Sequence, residues 1–336
     1  MHQSKGKTAL ITGAAGFLGS HLTDRLISEG WHVIGLDNLM SGSLENLPEA
    51  FRSNRFEFVE ADVIIPYDIN ADLVVNLACP ASPPRYQADP LHTMKTSVMG
   101  AFNACEVARK NNARLVHSST SEIYGDPEIH PQVESYRGAV NPIGIRACYD
   151  EGKRAAETII FDYNRTHGLE IGVCRIFNTY GPRMDPYDGR VVSNFIRQAL
   201  LGEPLTIYGD GKQTRSFCFV DDLVDGLMRL SLAGPDCVGP INLGNPTELT
   251  IMELAEEIRN KIGTQVRIEY KPLPSDDPTR RKPDIAEARS KLGWEPKVML
   301  GDGLDRTIRY FDALIRSDKL ADYQIADNAR YSMVAG

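Results

Sequence analysis

The stretch that decides the fold is "ITGAAGFLGSHL", residues 11–22, with Gly13, Gly16 and Gly19 in a G-x-x-G-x-x-G arrangement. It follows the β-branched run "KTALITG" and opens the amphipathic segment "FLGSHLTDRLISEG". A glycine-rich turn from a buried strand into a helix is the setting of a dinucleotide fingerprint. A side chain there would block the tight turn and keep the backbone away from a pyrophosphate. The N–H groups of the helix N-terminus and its positive dipole end then face the phosphates.

Working outward, short apolar runs alternate with longer helical ones. "HVIGLDN", "FEFVEAD", "DLVVNLA", "RLVHSST" and "IGVCRIFN" read as further strands, several apolar enough to be buried on both faces. Between them lie "HTMKTSVMGAFNACEVARKNN" and "YDEGKRAAETIIFDYNRTHG" as helices. Such alternation implies a Rossmann-like, doubly wound parallel sheet, an α/β fold covered on both sides. The pattern changes after Asn178, so we expect a cofactor domain of residues 1–178 plus about 217–246. A smaller mixed α/β substrate-binding domain is expected over about 179–216 and 247–316, with helices at "VVSNFIRQALLG", "TIMELAEEIRNKIG" and "IAEARSKLG". Residues 317–336 read as a weakly patterned tail of unknown role.

Composition narrows the function classes. The 336 residues are 42% hydrophobic and 24% charged, ordinary for a globular protein, and the net charge is −8. That balance argues against nucleic-acid or acidic-membrane partners, which need a positive surface. The apolar runs are too short to span a bilayer, and the N-terminal residues lack a signal peptide's long apolar segment, so a cytoplasmic location is expected. The cysteines at 79, 105, 148, 174, 218 and 237 show no close pair, and no histidine set has ligand spacing. We expect reduced, mostly buried thiols and no metal.

Asp37, eighteen residues after Gly19 at the end of the second strand, is placed to accept hydrogen bonds from an adenosine ribose and to repel a 2′-phosphate. NAD is therefore expected rather than NADP. Asp62, ending "FEFVEAD", is a candidate for the adenine side. With a nicotinamide cofactor in place, Tyr149 and Lys153 in "NPIGIRACYDEGKRAAETI" acquire a role, since an i, i+4 pair shares one helical face. Hydride removal from a secondary alcohol also requires a base for the hydroxyl proton. A tyrosine with a pKa of about 10 needs help to serve. The Lys153 ammonium and the cofactor's positive ring are expected to favour the phenolate. Thr120, at the end of "RLVHSST", is expected to hydrogen-bond the same substrate hydroxyl.

The order glycine loop, Thr120, Tyr149, Lys153 resembles the short-chain dehydrogenase/reductase superfamily, in its extended, nucleotide-sugar-modifying branch. Longer phrases are similar to the UDP-glucuronate decarboxylase (UDP-xylose synthase) family. They include "CPASPPRYQADPLHTMKTSVMG", "SSTSEIYGDPEIHPQVESYRGAVNPIGIRACYDEGKR", "RIFNTYGPRMDPYDGRVVSNFI", "YGDGKQTRSFCFVDDLVDGL" and "DDPTRRKPDIAEARSKLGWEP". The glycine motif specifies only the superfamily, whereas "PASPPRY", "TSEIYGDP" and "RKPDI" discriminate within it. Cys79 departs from the pattern, standing where the family leads us to expect serine.

The resemblance implies oxidation of the sugar at C4, loss of carbon dioxide from the 4-keto uronic acid, and re-reduction to UDP-xylose. It implies catalytic roles for Thr120, Glu122, Tyr149, Lys153 and Arg281: Glu122 beside C5, orienting a water or assisting proton transfer, and Arg281 assisting departure of the carboxylate. To the cofactor set of Gly13, Gly16, Gly19, Asp37 and Asp62 it adds Phe17, Leu18, Asn38, Leu77 and Lys95. For the UDP-sugar it implies Tyr86, Arg146, Asn178, Arg183, Asn194, Tyr208, Lys212, Gln213 and Arg215. A homodimer is also implied, through helices near 90–111 and 147–166. Release of the 4-keto pentose, a 4-epimerase and a 4,6-dehydratase are the competing activities. A nonenzymatic NAD-sensing scaffold would be expected to lack Tyr149, Lys153 or the glycines, and none is missing.

Overall fold

The computed structural model describes residues 6–273, 280–317 and 319–320. Of the tail, 318 and 321–336 lie outside the described residues, as do 274–279 of the proline-rich segment before Arg281.

Six strands, β1 (Thr8–Thr12), β2 (His32–Asp37), β3 (Phe56–Glu60), β4 (Leu73–Asn76), β5 (Arg114–Thr120) and β6 (Ile171–Ile176), join Ile241–Leu243 in one seven-stranded sheet. The order is β3-β2-β1-β4-β5-β6 and then Ile241–Leu243, with every pairing parallel. Strands β4 and β5 are buried along their whole length; β4 accordingly reads as an apolar run, whereas β5 also buries Arg114, His117, Ser118, Ser119 and Thr120. Ile11 and Val75 face one layer with Leu22, Leu26 and Leu227. Their neighbours Leu10 and Val74 face the other, with Ala104, Ala108, Ala156 and Ile160. Alternation along the strand thus feeds two helical layers from one sheet. The chain runs outward from β1 to β3 and returns to β4, so a crevice opens beyond the ends of β1 and β4.

The remaining elements pack beyond the strand ends. Leu205–Tyr208 pairs with Ile268–Lys271, and Thr214–Ser216 lies between Glu248–Thr250 and Arg280–Arg281. Register places Arg215 opposite Arg281, although the two are far apart in sequence. The helix Ile251–Ile262 begins at a capping box of Thr250 and Glu253.

The helix Leu300–Arg316 is not among the helices expected from the sequence. Leu304, Thr307, Phe311 and Leu314 recur at three- and four-residue spacing and are buried. Gly303 is required by packing: a Cβ there would lie 2.8 Å from the Phe219 ring and run into the Tyr180 hydroxyl. Among the described residues, no helix is long and apolar enough to cross a membrane.

Candidate active site

The turn from β1 into the helix Phe17–Ser28 forms a cradle. Gly13 has φ +74°, and a Cβ on it would sit 2.9 Å from the Ala78 nitrogen. A Cβ on Gly19 would collide with the Gly13 carbonyl, so this glycine lets helix and strand approach. Gly16 caps the helix without a side-chain hydrogen bond, and no acidic residue occupies the first turn. The positive end of the helix is therefore left for an external anion. Asp37 accepts from the N–H groups of Ala15 (2.9 Å) and Leu39 (2.8 Å). A carboxylate at the end of β2 can also accept a hydrogen bond from a ribose hydroxyl. Asn38 donates to Asp62 at 2.9 Å, and His92 lies 2.8 Å from the same oxygen. Burial pushes the Asp62 pKa up, but the Ile64 N–H, His92 and Asn38 together take it below its ordinary value. The cradle has the shape and donor set for a dinucleotide.

From the cradle a cavity of about 990 Å³ extends past Thr120, Tyr149 and Lys153 to Arg215 and Arg281. Thr120 ends β5, and its hydroxyl accepts the Glu122 N–H at 3.2 Å. Tyr149 and Lys153 come from the helix Ala147–His167, and both are buried. The Lys153 ammonium donates to the Ser118 carbonyl at 2.7 Å, and burial lowers its pKa. Burial raises the Tyr149 pKa, Cys79 adds to the rise, and a hydrogen bond with Thr120 and the charge of Arg190 oppose it. In the chain alone, then, the phenol stays protonated and Lys153 does not overcome the desolvation. The Tyr149 ring stacks on Tyr86 at 5.1 Å and 5° between planes, fixing where its hydroxyl points. The Tyr86 hydroxyl and Ser119 Oγ are buried without protein partners, and both residues line the cavity. Such groups call for a polar ligand.

The far wall carries a charge cluster. Glu122 Oε2 lies 2.6 Å from Arg146 Nη2 and 3.3 Å from Arg281 Nη2, and Arg281 also donates to the Ser121 carbonyl. Burial pushes the Glu122 carboxyl up, but Arg281 and Arg146 more than offset it, so Glu122 is held ionised. Asp150, one turn after Arg146, is buried with Oδ1 unpartnered. Burial and then the Glu122 charge raise its pKa to about 7, against the pull of Arg146 and Arg281.

Of the other expected residues, Phe17, Leu18, Leu77, Tyr86, Asn178, Arg183, Asn194, Tyr208, Gln213 and Arg215 line the cavity, and Asp37 and Asn38 line a smaller one beside it. Arg183 is pinned to Asp24 at 2.6 Å and has φ +65°. Lys212 points outward, its nearest carboxylate being Asp210 at 3.5 Å, and Lys95 is exposed on the helix Pro90–Asn111. Neither lysine reaches the cavity wall. Sequence reading missed Arg190, whose charge reaches Tyr149, and the pair Arg85–Asp185 at 2.5 Å. No sequence signal marks a pair formed across 100 residues. Among the described residues, no group of three or more His, Cys, Asp or Glu is placed to hold a metal ion.

Residues 9–244 match the model of the NAD dependent epimerase/dehydratase family. UDP-glucuronic acid decarboxylase 5 of Arabidopsis thaliana is 56% identical, covering 88% of this chain and 86% of its own. UDP-glucuronic acid decarboxylase 4 of the same plant is 53% identical over 93% of this chain and 70% of its own. The chain belongs to the UDP-glucuronic acid decarboxylase family. Members of this family are enzymes of the NAD-dependent epimerase/dehydratase fold, and the cofactor is NAD. Among solved structures, UDP-glucuronic acid 4-epimerase from Bacillus cereus in complex with UDP-glucuronic acid and NAD superimposes with a TM-score of 0.82. It is 26% identical, covering 91% of this chain and 99% of that one. This chain and that epimerase thus share the architecture.

Proposed function

We propose that the protein decarboxylates UDP-glucuronate to UDP-xylose, a closed cycle in which the sugar is oxidised at C4 and reduced again before release. The observation that carries this reading is Glu122 clamped between Arg146 and Arg281, one turn of chain from Thr120 and facing the Tyr149 cavity. Bound in the glycine cradle, NAD would supply a hydride acceptor and donor for C4 and a positive ring beside the phenol. With the phenol ionised under that positive charge, Tyr149 takes the O4 proton, with Thr120 sharing that hydrogen bond and Lys153 placed to hold the cofactor ribose. The C4 ketone lies β to the carboxylate, so breaking the C5–C6 bond releases carbon dioxide and leaves the electron pair in an enolate. Glu122, being ionised, orients a water that protonates C5, the hydroxide left behind taking up a proton from solvent, and Tyr149 returns its proton to O4.

The cluster sets how tightly the substrate carboxylate is held. Two guanidiniums and one carboxylate leave a net single positive charge while Asp150 is neutral. A grip by two uncompensated charges would stabilise the ground state against carbon dioxide loss. Arg215, in register with Arg281, and Tyr208 and Gln213 are placed for the nucleotide and diphosphate. Lys212 and Lys95 reach a ligand only if their side chains swing from the positions described. We read residues 1–178 with about 217–246 as the cofactor domain, and about 179–216 with 247–316 as the substrate domain. Incubation with UDP-glucuronate and NAD should release one carbon dioxide per UDP-xylose formed; absence of carbon dioxide sinks the proposal.

The chain is further read as a cytoplasmic homodimer. Six free thiols suit a reducing compartment, which localisation by fractionation would check. Leu91, Met99 and Phe102 are exposed on one side of the helix Pro90–Asn111, an apolar stripe that a second copy would cover. Sedimentation equilibrium at the monomer mass would reject it.

Asp150 gives the site a pH dependence. Its pKa lies above the ordinary carboxylate value, so ionisation costs stability, and stability present at low pH is lost as pH rises through about 7. The same proton release cancels the cluster's net charge. The KM for UDP-glucuronate should therefore rise between pH 6 and 8, and in Asp150→Asn both KM and melting temperature should be flatter across that window. Parallel pH profiles in the two proteins would remove Asp150 from this role.

A further inference from the structure

Arg281 sits at the end of a very short strand. Its pairing with Thr214–Ser216 covers only Arg280 and Arg281, after which the chain leaves the sheet. The segment beyond is caught from the opposite side by Gln132, in the loop between Tyr124 and the helix Ala147–His167. Gln132 is fully buried and lies in a parallel bridge with Pro283. Its side-chain Oε1 accepts the Lys282 N–H at 2.8 Å, directly after Arg281. Its main-chain N–H donates to the Lys282 carbonyl at 2.9 Å, and its carbonyl accepts the Asp284 N–H at 2.9 Å. Its Nε2 donates to the Ile129 carbonyl at 2.9 Å, which fixes the side chain's direction.

The clamp is tied to the main sheet. Asn242, in the edge strand Ile241–Leu243, donates to the Gln132 carbonyl at 2.9 Å and to the Asp284 carbonyl at 3.0 Å. The Tyr124 hydroxyl donates to Asn242 Oδ1 at 2.8 Å, so the tie returns to the turn that carries Glu122. Arg281 is thereby pinned on both sides, by the Ser216 hydroxyl donating to its carbonyl at 3.2 Å and by Gln132 one residue on.

We propose that Gln132 is a positioning residue for Arg281, holding its guanidinium against Glu122 for the stage at which carbon dioxide leaves. It does not line the cavity and acts through the backbone of Lys282. This inference rests on the assignment of Arg281 to that stage. Displacement of a catalytic group by about 1 Å can cost on the order of 100-fold in rate. A buried amide that merely stabilised the fold would lower the melting temperature and leave the partition between stages untouched.

The test compares Gln132→Leu, which fills the same space without hydrogen bonds, with Arg281→Ala and the double variant. Carbon dioxide release, escape of the 4-keto sugar and KM for UDP-glucuronate are measured on protein shown to be folded by circular dichroism. In Gln132→Leu, carbon dioxide release should fall about 10-fold or more and the escaping keto sugar should increase, with KM changed only a few-fold. Adding the substitution to Arg281→Ala should cost no more than about 2-fold, because residues acting as a unit are not additive. A normal partition in Gln132→Leu, or a full additional loss in the double variant, overturns the proposal. If Arg281→Ala alone releases carbon dioxide at the wild-type rate, Arg281 leaves the mechanism, a distinct result that removes the proposal's basis. Should Gln132→Leu fail to fold, Gln132→Asn, one methylene too short to reach Lys282, enters the same comparison with the same outcomes.

Discussion

Tyr149→Phe loses roughly 10²–10⁴-fold in turnover, the range expected when a positioned proton-transfer group is removed. The substitution removes one oxygen and keeps the ring, so the stack on Tyr86 at 5.1 Å is preserved and the melting temperature moves little. NAD affinity should stay near wild type, because the glycine cradle, Asp37 and Lys153 are untouched. Calorimetric titration with NAD alongside carbon dioxide assays separates the two effects. Near-normal turnover would take Tyr149 out of the mechanism. The raised pKa of the buried phenol makes the prediction sharper. The Lys153 ammonium donates to the Ser118 carbonyl, so in the chain it acts as a hydrogen-bond donor and does not stand in as the base.

Arg281→Ala is expected to be the more damaging change overall, since it acts on fold and chemistry together. Removing one partner from a buried ion pair costs about 3–5 kcal/mol. The lower end applies here, because Arg146 remains 2.6 Å from the Glu122 carboxylate. Among the surviving folded molecules, sugar oxidation should persist and carbon dioxide loss should collapse, so NADH absorbance accumulates during a single turnover. Glu122→Ala should show the same split with a stability cost at least as large, since it takes the shared carboxylate from both Arg146 and Arg281. Unchanged carbon dioxide release in either variant would reject that residue's assignment, and a uniform rise in KM alone would recast it as a binding residue.

Much of this was legible before any coordinates, for physical reasons that also mark the limits. Strands β1 and β4 announce themselves because burial on both faces demands apolar runs. Gly13 and Gly19 are readable because a left-handed turn and a helix pressed on a strand leave no room for a Cβ. Tyr149 and Lys153 are readable because a helix fixes their spacing. What escaped depends on distant partners: the two-residue strand Arg280–Arg281 has no periodicity, and its neighbour Arg215 is far away in sequence. Helix Leu300–Arg316 was hidden by Gly301 and Gly303, and the second of these exists to admit Tyr180. Lys212 and Lys95 lie off the cavity wall, since a motif names a residue without saying which way its side chain turns. Asp150 carried no signal at all, because its unusual protonation comes from burial beside Glu122 and not from its neighbours in sequence.

The most direct test of the closed cycle is the reaction of UDP-glucuronate in D₂O with catalytic NAD, followed by NMR of the sugar product and by NADH absorbance. The account predicts UDP-xylose carrying a single deuterium at C5, the original hydrogen at C4, and no net NADH. NADH rising in step with a 4-keto pentose, or a product that retains its carboxylate, would contradict it.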